Sequence, residues 1–322
     1  MKPATPTDQT PATLTPATGA AGTAAPRAQP TAAAPASFAE RALFEPIAPL
    51  LRRFTKAGVP PVAALEHLLQ AHAPGLCSGE GKPLRFADVV PALTGYERHI
   101  HATGEIPTRC GDWHDFFNAL AWCVWPHAKS TCNALHLAAQ SAREHHRKPG
   151  RGPLRDALTQ FDECGIVVAS TCPDILAGLR NHEWEHVMST RRVELLATTR
   201  FLVFGHGTWD QLRQPFLGLC AKALYRLVPP GWLAMEATQR QAECDLWLAD
   251  WLATEADGVD TDHARLSPRA WSPLPLLGIP GVTPDNATPA YYRDTRQFRP
   301  RRAAESKRVT SDTPQSVDKR TV

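Results

Sequence analysis

The segment from Trp113 to Trp125 is the feature that most constrains how this chain can fold. Apolar residues recur along it at three- and four-residue spacing, which predicts a helix with Asp112 as its N-cap and Pro126 as its end or kink. The face opposite the apolar one carries no Lys, Arg or Glu. Because a solvent-facing helix surface normally carries long charged side chains, we expect this second face to be covered by protein as well, or to line a pocket.

The second face of this helix supplies the first candidate site residues, which are His114, Asp115, Asn118, Trp122 and Trp125. Imidazole, carboxylate and amide groups on a covered face can hold a ligand or move a proton. A structural role explains part of the set, since Asp115 places a negative charge in the first turn, where the helix dipole favours it. His114 can equally be a core histidine with satisfied hydrogen bonds. Sequence alone leaves both interpretations open.

A second helix is predicted from about 128 to 144, and it carries a polar stripe of Lys129, Asn133, His136 and Gln140. Asparagine is a poor helix former, by roughly half a kcal/mol relative to alanine, so we expect Asn118 and Asn133 to form hydrogen bonds across the helix pair. Lys129 lies in the first turn beside free backbone N–H groups, a favourable setting for an anion. The alternative is that the stripe is a solvated face.

Three short β-strands are predicted among the helices. The runs 157–162 and 166–170 are expected to form a hairpin with its turn at 163–165, because a β-branched run directly follows a glycine. A third apolar run, 201–204, is closed by Gly205-His206-Gly207. Glycines on both sides would let a ligand approach the imidazole closely, so His206 is a further candidate catalytic residue.

Three carboxylates border the predicted hairpin, namely Asp156, Asp162 and Glu163. Close carboxylates can supply a general acid and base or bind a divalent cation. Since adjacent strand residues point to opposite faces, we expect Asp162 and Glu163 to serve the turn instead. Asp156 is a candidate ligand-binding residue, and the alternative for it is a structural salt bridge with Arg151 or Arg155.

The run from His182 to His186 matches the pattern HExxH, in which two zinc ligands lie one helical turn apart with a glutamate base between them. Its surroundings argue against a metallopeptidase, because Arg180 and Glu185 occupy positions where uncharged residues are expected. The third ligand would have to be Glu194, which is rather close in sequence, or His206. A zinc site at His182 and His186 is therefore the least favoured alternative.

Composition excludes several classes of protein. A net charge of +3 over 322 residues argues against a strongly basic nucleic-acid binder, and the basic run at 293–302 is interpreted as the solvated end of a strap. No apolar run approaches the ~18 residues that a membrane helix needs, so we expect a soluble, cytoplasmic protein that binds neither nucleic acid nor membrane. The eight cysteines form no CxxC pair, and we expect them to be reduced and mostly buried.

The predicted organisation is one globular domain between two tails. Residues 1–37 are almost entirely Ala, Pro, Thr and Gly and are expected to be disordered, as is the polar segment 303–322. Further helices are expected at 38–54, 62–71 and 235–252, followed by a proline-punctuated strap over 267–300. The predicted fold class is mainly helical α+β: a single domain, 38–302, with a small β-hairpin or sheet and a proline-rich C-terminal strap.

An ordered series of motifs along the chain is similar to the bacterial family catalogued as domain of unknown function 3025. The motifs are Ile106-Pro107-Thr108-Arg109, Trp113-His114-Asp115-Phe116-Phe117-Asn118-Ala119-Leu120, Lys129, Asn133-Ala134-Leu135, Arg155-Asp156-Ala157-Leu158-Thr159, Phe161-Asp162-Glu163, Phe204-Gly205-His206, Pro273-Leu274-Pro275-Leu276-Leu277-Gly278-Ile279-Pro280-Gly281, Tyr291-Tyr292 and Phe298-Arg299-Pro300. The resemblance spans roughly residues 40 to 302 and implies one domain flanked by tails. It implies no activity, and His182–His186 is not part of the resemblance.

The leading hypothesis is that these residues converge on a polar pocket for a small anionic or phosphorylated compound, which the protein binds and, if it is an enzyme, hydrolyses. In that reaction His114 or His206 would move the proton, Asp115 would orient the imidazole and Lys129 would hold the anion. The expected ligand-binding residues are Asn118, Lys129, Asn133, His136 and Asp156. The alternatives are a non-catalytic protein-interaction module and the zinc peptidase. Cofactor and oligomeric state are left open.

Overall fold

The computed structural model describes residues 33–90, 95–256 and 266–301. Residues 1–32 of the predicted N-terminal tail, 1–37, lie outside the described residues. The whole of the predicted C-terminal tail, 303–322, lies outside them as well. Pro35–Phe38 forms a 3₁₀ turn in which the Pro35 and Phe38 side chains are buried. The packed part of the chain therefore begins a few residues before 38.

The described residues form a mainly helical α+β fold, as predicted. The helices are α1 (Ala48–Leu51), α2 (Val62–His72), α3 (Tyr96–Thr103), α4 (Trp113–Val124), α5 (Pro126–His145), α6 (Pro153–Cys164), α7 (Pro173–Arg180), α8 (Arg192–Thr198), α9 (His206–Leu212), α10 (Pro230–Leu233) and α11 (Ala237–Glu255). The strands are β1 (Arg85–Ala87), β2 (Glu105–Pro107), β3 (Gly165–Ser170), β4 (Thr199–Val203), β5 (Cys220–Leu227) and β6 (Ser272–Pro275). Among the described residues, no helix has the length and apolar content needed to cross a membrane.

The larger sheet has four strands in the order β4-β3-β5-β6. Strand β3 runs parallel to β5 and antiparallel to β4, while β6 pairs antiparallel with β5 at the edge. Every residue of β3 is buried, which is why Gly165–Ser170 is apolar almost throughout. Strands β1 and β2 form a separate parallel pair.

The predicted hairpin is wrong, because residues 153–164 form helix α6 and not a strand and a turn. Pro153 starts this helix, and four buried apolar residues repeat at helical spacing: Leu154, Ala157, Leu158 and Phe161. Strand β3 begins directly after the helix at Gly165, without a turn, and takes its antiparallel partner from β4. The helix turns Asp162 and Glu163 toward the same side of the fold as α9, which a hairpin would not do.

Helix α4 follows the sequence prediction closely. The Asp112 carboxylate accepts a hydrogen bond from the Asp115 backbone N–H at 3.1 Å, and Pro126 opens the next helix, α5. The apolar face packs its aromatic rings against one another, and the opposite face is covered as expected, since Asn118 and Trp122 are buried as well. This helix is therefore enclosed over most of its surface.

Two other predicted segments differ in detail. The run 38–54 is not one helix but a series of tight turns with the four-residue α1, since prolines at 46 and 49 interrupt any longer helix. The proline-punctuated segment 267–300 does not simply lie over the body, because its residues Ser272–Pro275 join the sheet as β6. Trp271, at the start of that strand, stacks on Phe161 of α6.

The cysteines are all free, but fewer are buried than predicted. Cys123, Cys132 and Cys244 are buried in the helical core. The others are partly or fully exposed, namely Cys77, Cys110, Cys164, Cys172 and Cys220. The expectation that most of them act as small core residues is therefore wrong.

Candidate functional site

Three side chains from distant parts of the chain meet where α4, α6 and α9 come together. His114 belongs to the first turn of α4, Glu163 lies at the end of α6, and His206 is the first residue of α9. The Nε2 atoms of the two imidazoles are 3.0 Å apart. The Oε1 atom of Glu163 lies 3.8 Å from Nε2 of His114 and 3.7 Å from Nε2 of His206. We call these three residues the His–Glu–His cluster.

The glycines beside His206 make this approach possible. A Cβ atom on Gly205 would overlap the backbone of Cys164 and Gly165, and one on Gly207 would lie 2.6 Å from Oε2 of Glu163. The two glycines therefore admit the end of α6 next to the imidazole. The sequence predicts that Gly205 and Gly207 leave room for a ligand. In the structure the space beside them is taken by the end of α6.

The spacing of the three donor atoms matches a metal site. The point equidistant from the two Nε2 atoms and Oε1 lies about 2 Å from each of them, which is the usual length of Zn–N and Zn–O bonds. Within the described part of the chain, this is the only group of three His, Cys, Asp or Glu side chains that converges in this way. His114 and Glu163 are partly exposed and His206 is buried, so one side of the cluster opens toward solvent.

Electrostatics prepare the cluster for a cation. Burial lowers the pKa of His206 to about 3, against the opposing attraction of Asp162, so its imidazole is neutral at physiological pH and keeps a lone pair for a metal. Burial also raises the pKa of Glu163, an effect that His114 partly offsets. A cation in the cluster would offset the unfavourable effect of burial on the charge of the Glu163 carboxylate.

A buried ion pair lies behind His206. Oδ2 of Asp162 is 3.7 Å from Nδ1 of His206, and Oδ1 accepts a hydrogen bond from Nζ of Lys129 at 2.6 Å. Burial opposes the charge on each partner, yet their attraction wins, so the pKa of Asp162 is lowered and that of Lys129 is raised. Lys129 also donates to Oδ1 of Asn118 at 2.9 Å, and Asn118 donates to the Tyr96 hydroxyl at 2.8 Å.

This network changes the roles expected for two residues. Only 3% of the Lys129 side chain is exposed and its charge is balanced by Asp162, so its ammonium group is not available to hold an anionic ligand. It positions Asp162 instead. Asn118 does form the expected hydrogen bond across the α4–α5 pair.

Asp115 does not orient His114. Its two oxygens bind the guanidinium of Arg109 at 2.8 and 2.9 Å, and Oδ2 also accepts the Arg109 backbone N–H at 2.7 Å. Burial alone would raise the pKa of Asp115, but these hydrogen bonds lower it. Asp115 therefore ties the start of α4 to the segment before it, and the expected partnership with His114 is wrong.

The other predicted ligand-binding residues lie outside the cluster. Nδ1 of His136 is 3.6 Å from a Glu97 carboxylate oxygen, and Asn133 donates to the Glu97 backbone carbonyl at 3.1 Å, so its amide bonds to α3 and not to α4. Asp156 is half-exposed and faces Arg151 at 4.0 Å, which is the salt-bridge alternative considered for it. The structure does not bring these three residues to His114 and His206.

The HExxH run does not form a metallopeptidase helix. Helix α7 ends at Arg180, and His182 has a φ of +61°, which breaks the helix between the two histidines. His186 begins a π-helical turn, and the His182 ring stacks on Trp184. The two imidazoles therefore do not share a helix face, and the zinc-peptidase alternative is wrong.

Glu163 and its neighbour Asp162 are the functional candidates that the sequence prediction assigned to a turn. Their signal was available, because the apolar residues from Leu154 to Phe161 repeat at i, i+3, i+4 and i+7. Read as a helix, this spacing places both carboxylates in its last turn, three and two residues before Gly165. The β-branched run that follows forms only strand β3.

Two arginines of the basic run near the C-terminal end are paired within the fold. Arg293 forms an ion pair with Glu185 at 3.0 Å, and Arg296 pairs with Asp294 at 2.6 Å. Both arginine side chains are largely exposed. They agree with the interpretation of a strap end.

The fold and the site together define a class: a mainly helical α+β protein that joins two histidines and a glutamate at the meeting point of three helices. The chain belongs to the family described as "Protein of unknown function (DUF3025)", which it matches over residues 84–302. This confirms the resemblance seen in the motifs, and the matched region contains the whole His–Glu–His cluster. Comparisons with curated proteins and with solved structures found no match.

Proposed function

We propose that this protein is a metal-dependent hydrolase, with one divalent transition-metal ion held by His114, Glu163 and His206. The observation that carries the proposal is the triangle of donor atoms, whose centre lies about 2 Å from each. Two imidazoles and one carboxylate form a ligand set that zinc uses in catalytic sites, where the fourth position is left to water or substrate. The partly exposed side of the cluster supplies that open position.

The residues around the cluster support this role. A histidine that binds a metal through one nitrogen usually donates the N–H of the other to a carboxylate, a backbone carbonyl or a water, which sets its tautomer and orientation. His206 has this arrangement, since Asp162 lies on its Nδ1 side and is itself held by Lys129. The buried Nδ1 atom makes no hydrogen bond with the described residues, so a modest movement of Asp162 would satisfy it.

The substrate class follows from charge. A divalent ion and the single carboxylate of Glu163 leave the centre with a net positive charge, while Lys129 and Asp162 cancel each other. A small anionic compound fits such a centre. A bound zinc lowers the pKa of its water to about 7, which supplies a nucleophile for hydrolysis near neutral pH.

Metal binding is the first test. We expect the chelator-treated full-length protein to bind one Zn²⁺ or Co²⁺ in calorimetric titrations. His206→Ala and Glu163→Gln should weaken that binding by about 100-fold or more, because each removes one ligand. The exposed His67→Ala and Asp156→Asn serve as matched controls and should bind as the wild type does.

Hydrolysis is the second test. The metal-loaded protein should hydrolyse members of a panel of aryl phosphates and aryl esters that carry a carboxylate, and the same ligand substitutions should abolish that activity. Stoichiometric metal without turnover would overturn the hydrolase assignment and leave a metal-binding protein. Absence of stoichiometric metal would overturn the proposal and favour the non-catalytic interaction module.

A further inference from the structure

We propose a second ligand site, separate from the His–Glu–His cluster, which binds a small aromatic anion in a cleft between strands β5 and β6 and the segment 296–300. The cleft has a volume of about 390 Å³. Ligand pockets usually measure roughly 300–1,000 Å³, so this cleft suits a molecule of about one or two rings. We call it the β5–β6 cleft.

Strands β5 and β6 form the floor of the cleft. Cys220 pairs with Pro275 in the antiparallel register, and Lys222 pairs with Pro273. Directly paired residues point to the same face of a sheet, as do residues two apart on one strand. Because Cys220 and both prolines line the cleft, Lys222 extends from the same face of the sheet beside them. The floor therefore combines two proline rings with a cation at its edge.

The run that matches HExxH in the sequence builds one wall of the cleft. The Trp184 indole N–H donates to the Arg299 carbonyl oxygen at 3.0 Å, and Nδ1 of His182 lies 3.2 Å from the same oxygen. Since a carbonyl oxygen only accepts, Nδ1 carries the proton in this contact. The His182 ring also stacks on Trp184, with 4.7 Å between the ring centroids. These contacts fix the backbone of Arg299, which lines the cleft.

The charges around the cleft favour an anion. Its described lining contains two arginines, Arg296 and Arg299, and no aspartate or glutamate. The Arg296 guanidinium is bound by Asp294 at 2.6 Å. The Arg299 guanidinium and the Lys222 ammonium form no hydrogen bond or ion pair with the described residues. Burial raises the pKa of the Cys220 thiol, and the charges of Arg299 and Lys222 oppose this rise, which agrees with both cations lying near the cleft.

The ligand class follows from these surfaces. Arginine and lysine bind carboxylate and phosphate oxygens through charge-assisted hydrogen bonds. The proline rings of the floor and the Trp184 wall present apolar faces to the body of a ligand. An aromatic ring that carries a phosphate or a carboxylate satisfies both requirements. A phosphate fits better than a carboxylate, because its two charges match the unpaired Arg299 and Lys222.

Three matched probes test this assignment by ¹⁹F NMR titration of the full chain: 4-fluorophenyl phosphate, 4-fluorobenzoate and 4-fluorobenzamide. A chelator is present throughout, so that no probe binds through a metal. We expect 4-fluorobenzoate to bind about tenfold more tightly than the neutral 4-fluorobenzamide, the value of one charge-assisted hydrogen bond, and 4-fluorophenyl phosphate to bind more tightly still. Added NaCl should weaken binding of the two anions and leave that of the amide unchanged.

Substitutions locate the binding. Arg299→Gln should weaken binding of 4-fluorophenyl phosphate about tenfold, whereas Arg53→Gln, which removes an exposed arginine outside the cleft, should leave it unchanged. Cys220 is exposed at the floor, so Cys220→Phe should fill the cleft and abolish binding of all three probes. If Cys220→Phe fails to fold, Pro273→Phe at an exposed position of the edge strand tests the same occlusion.

Three results would overturn the inference. Equal affinity of the wild type for 4-fluorobenzoate and 4-fluorobenzamide, or no binding of any probe, would remove the selection of anions. An unchanged affinity in Arg299→Gln would remove the role of its guanidinium. Binding of 4-fluorophenyl phosphate that survives occlusion of the cleft would remove the site itself. None of these results depends on metal binding, so the proposed function is tested separately.

Discussion

At the scale of single residues, the Lys129–Asp162 pair shows how a buried charge positions a neighbouring group. The Lys129 ammonium and the Asp162 carboxylate are 2.6 Å apart behind His206, and Asn118 accepts a second hydrogen bond from the lysine. Removing one member of a buried pair leaves the other uncompensated, which costs far more than the pair contributes. The pair therefore holds Asp162 on the Nδ1 side of the imidazole.

We expect Lys129→Met to lower the free energy of unfolding by about 3 kcal/mol, the low end for a buried pair, because Asp162, whose side chain is 23% exposed, then stays largely buried without its cation. Urea denaturation followed by circular dichroism measures this loss. Arg52→Met, which breaks the exposed pair with Glu40, is the matched control and should cost under about 1 kcal/mol. Equal losses in the two variants would show that the Lys129 pair is not buried.

The pH dependence of stability depends in part on His136. Burial lowers its pKa, against the attraction of Glu97 and Asp162 and with the help of Arg151 and Arg155. Below about pH 6.5 the unfolded chain therefore binds a proton at this histidine more readily than the folded protein does. The contribution of His136 to the free energy of unfolding is therefore retained at neutral pH and is lost as the pH falls through and below about 6.5.

We expect His136→Gln to flatten the loss of unfolding free energy between pH 6.5 and 5, a slope to which one such group contributes at most about 1.4 kcal/mol per pH unit. Chemical denaturation at several pH values, with a chelator present, measures the slope. His206 is present in the wild type and in His136→Gln, and it contributes equally to the pH slope of the unfolding free energy of both. His67→Gln, at an exposed position of α2, should leave the slope of the wild type unchanged.

At the scale of secondary-structure elements, the contact between α6 and α9 decides whether the His–Glu–His cluster exists. Helix α9 begins at His206 between two glycines, and the end of α6 occupies the space that side chains would otherwise take. Close packing of this kind tolerates no added atoms without a shift of the helices. Metal binding should therefore be sensitive to a substitution outside the three residues of the His–Glu–His cluster.

We expect Gly207→Ala to lower stability by about 1–3 kcal/mol and to weaken metal binding, because its methyl group meets the carboxylate and the carbonyl of Glu163. Gly231→Ala in α10 is the matched control, since its added methyl meets no atom within 4 Å. Thermal unfolding and calorimetric Zn²⁺ titration of both variants measure the two effects. An unchanged metal affinity in Gly207→Ala would contradict the packing argument.

At the scale of the whole molecule, the segment 266–301 completes the fold. It supplies the edge strand β6 and places Trp271 on Phe161 of α6, the helix that carries Glu163. Tyr292 and Phe298 are buried as well. Loss of this segment would expose β5 as a sheet edge and uncover one side of α6.

We expect a shortened chain of residues 33–301 to unfold within about 2 °C of the full-length protein and to bind the same amount of metal, because the buried core of the described part is intact. A chain ending at residue 256 should be insoluble or unfolded. Differential scanning calorimetry and metal titration compare the three chains. A stable, metal-binding 33–256 chain would show that the C-terminal segment is dispensable.

Much of the local structure was predictable from sequence because its causes are local. The N-cap at Asp112, the break at Pro126 and the enclosed character of α4 follow from residues within one or two turns of each other. The sequence prediction is wrong at residues 157–163, because the helical repeat and not the neighbouring β-branched run sets the structure there. It is wrong also for the roles of Asp115 and Lys129, because helix periodicity does not show that their partners are Arg109 and Asp162.

The sequence by itself determined helices α2, α4, α5 and α11, the enclosed character of α4, and the candidacy of His114 and His206 as site residues. Only the tertiary structure decided that these imidazoles, 92 residues apart in the chain, lie 3.0 Å from each other and share Glu163. The physical reason is the range of the interactions. Spacing and capping act over a few residues, whereas the joining of α4, α6 and α9 depends on how whole helices pack, down to the missing side chain of Gly207.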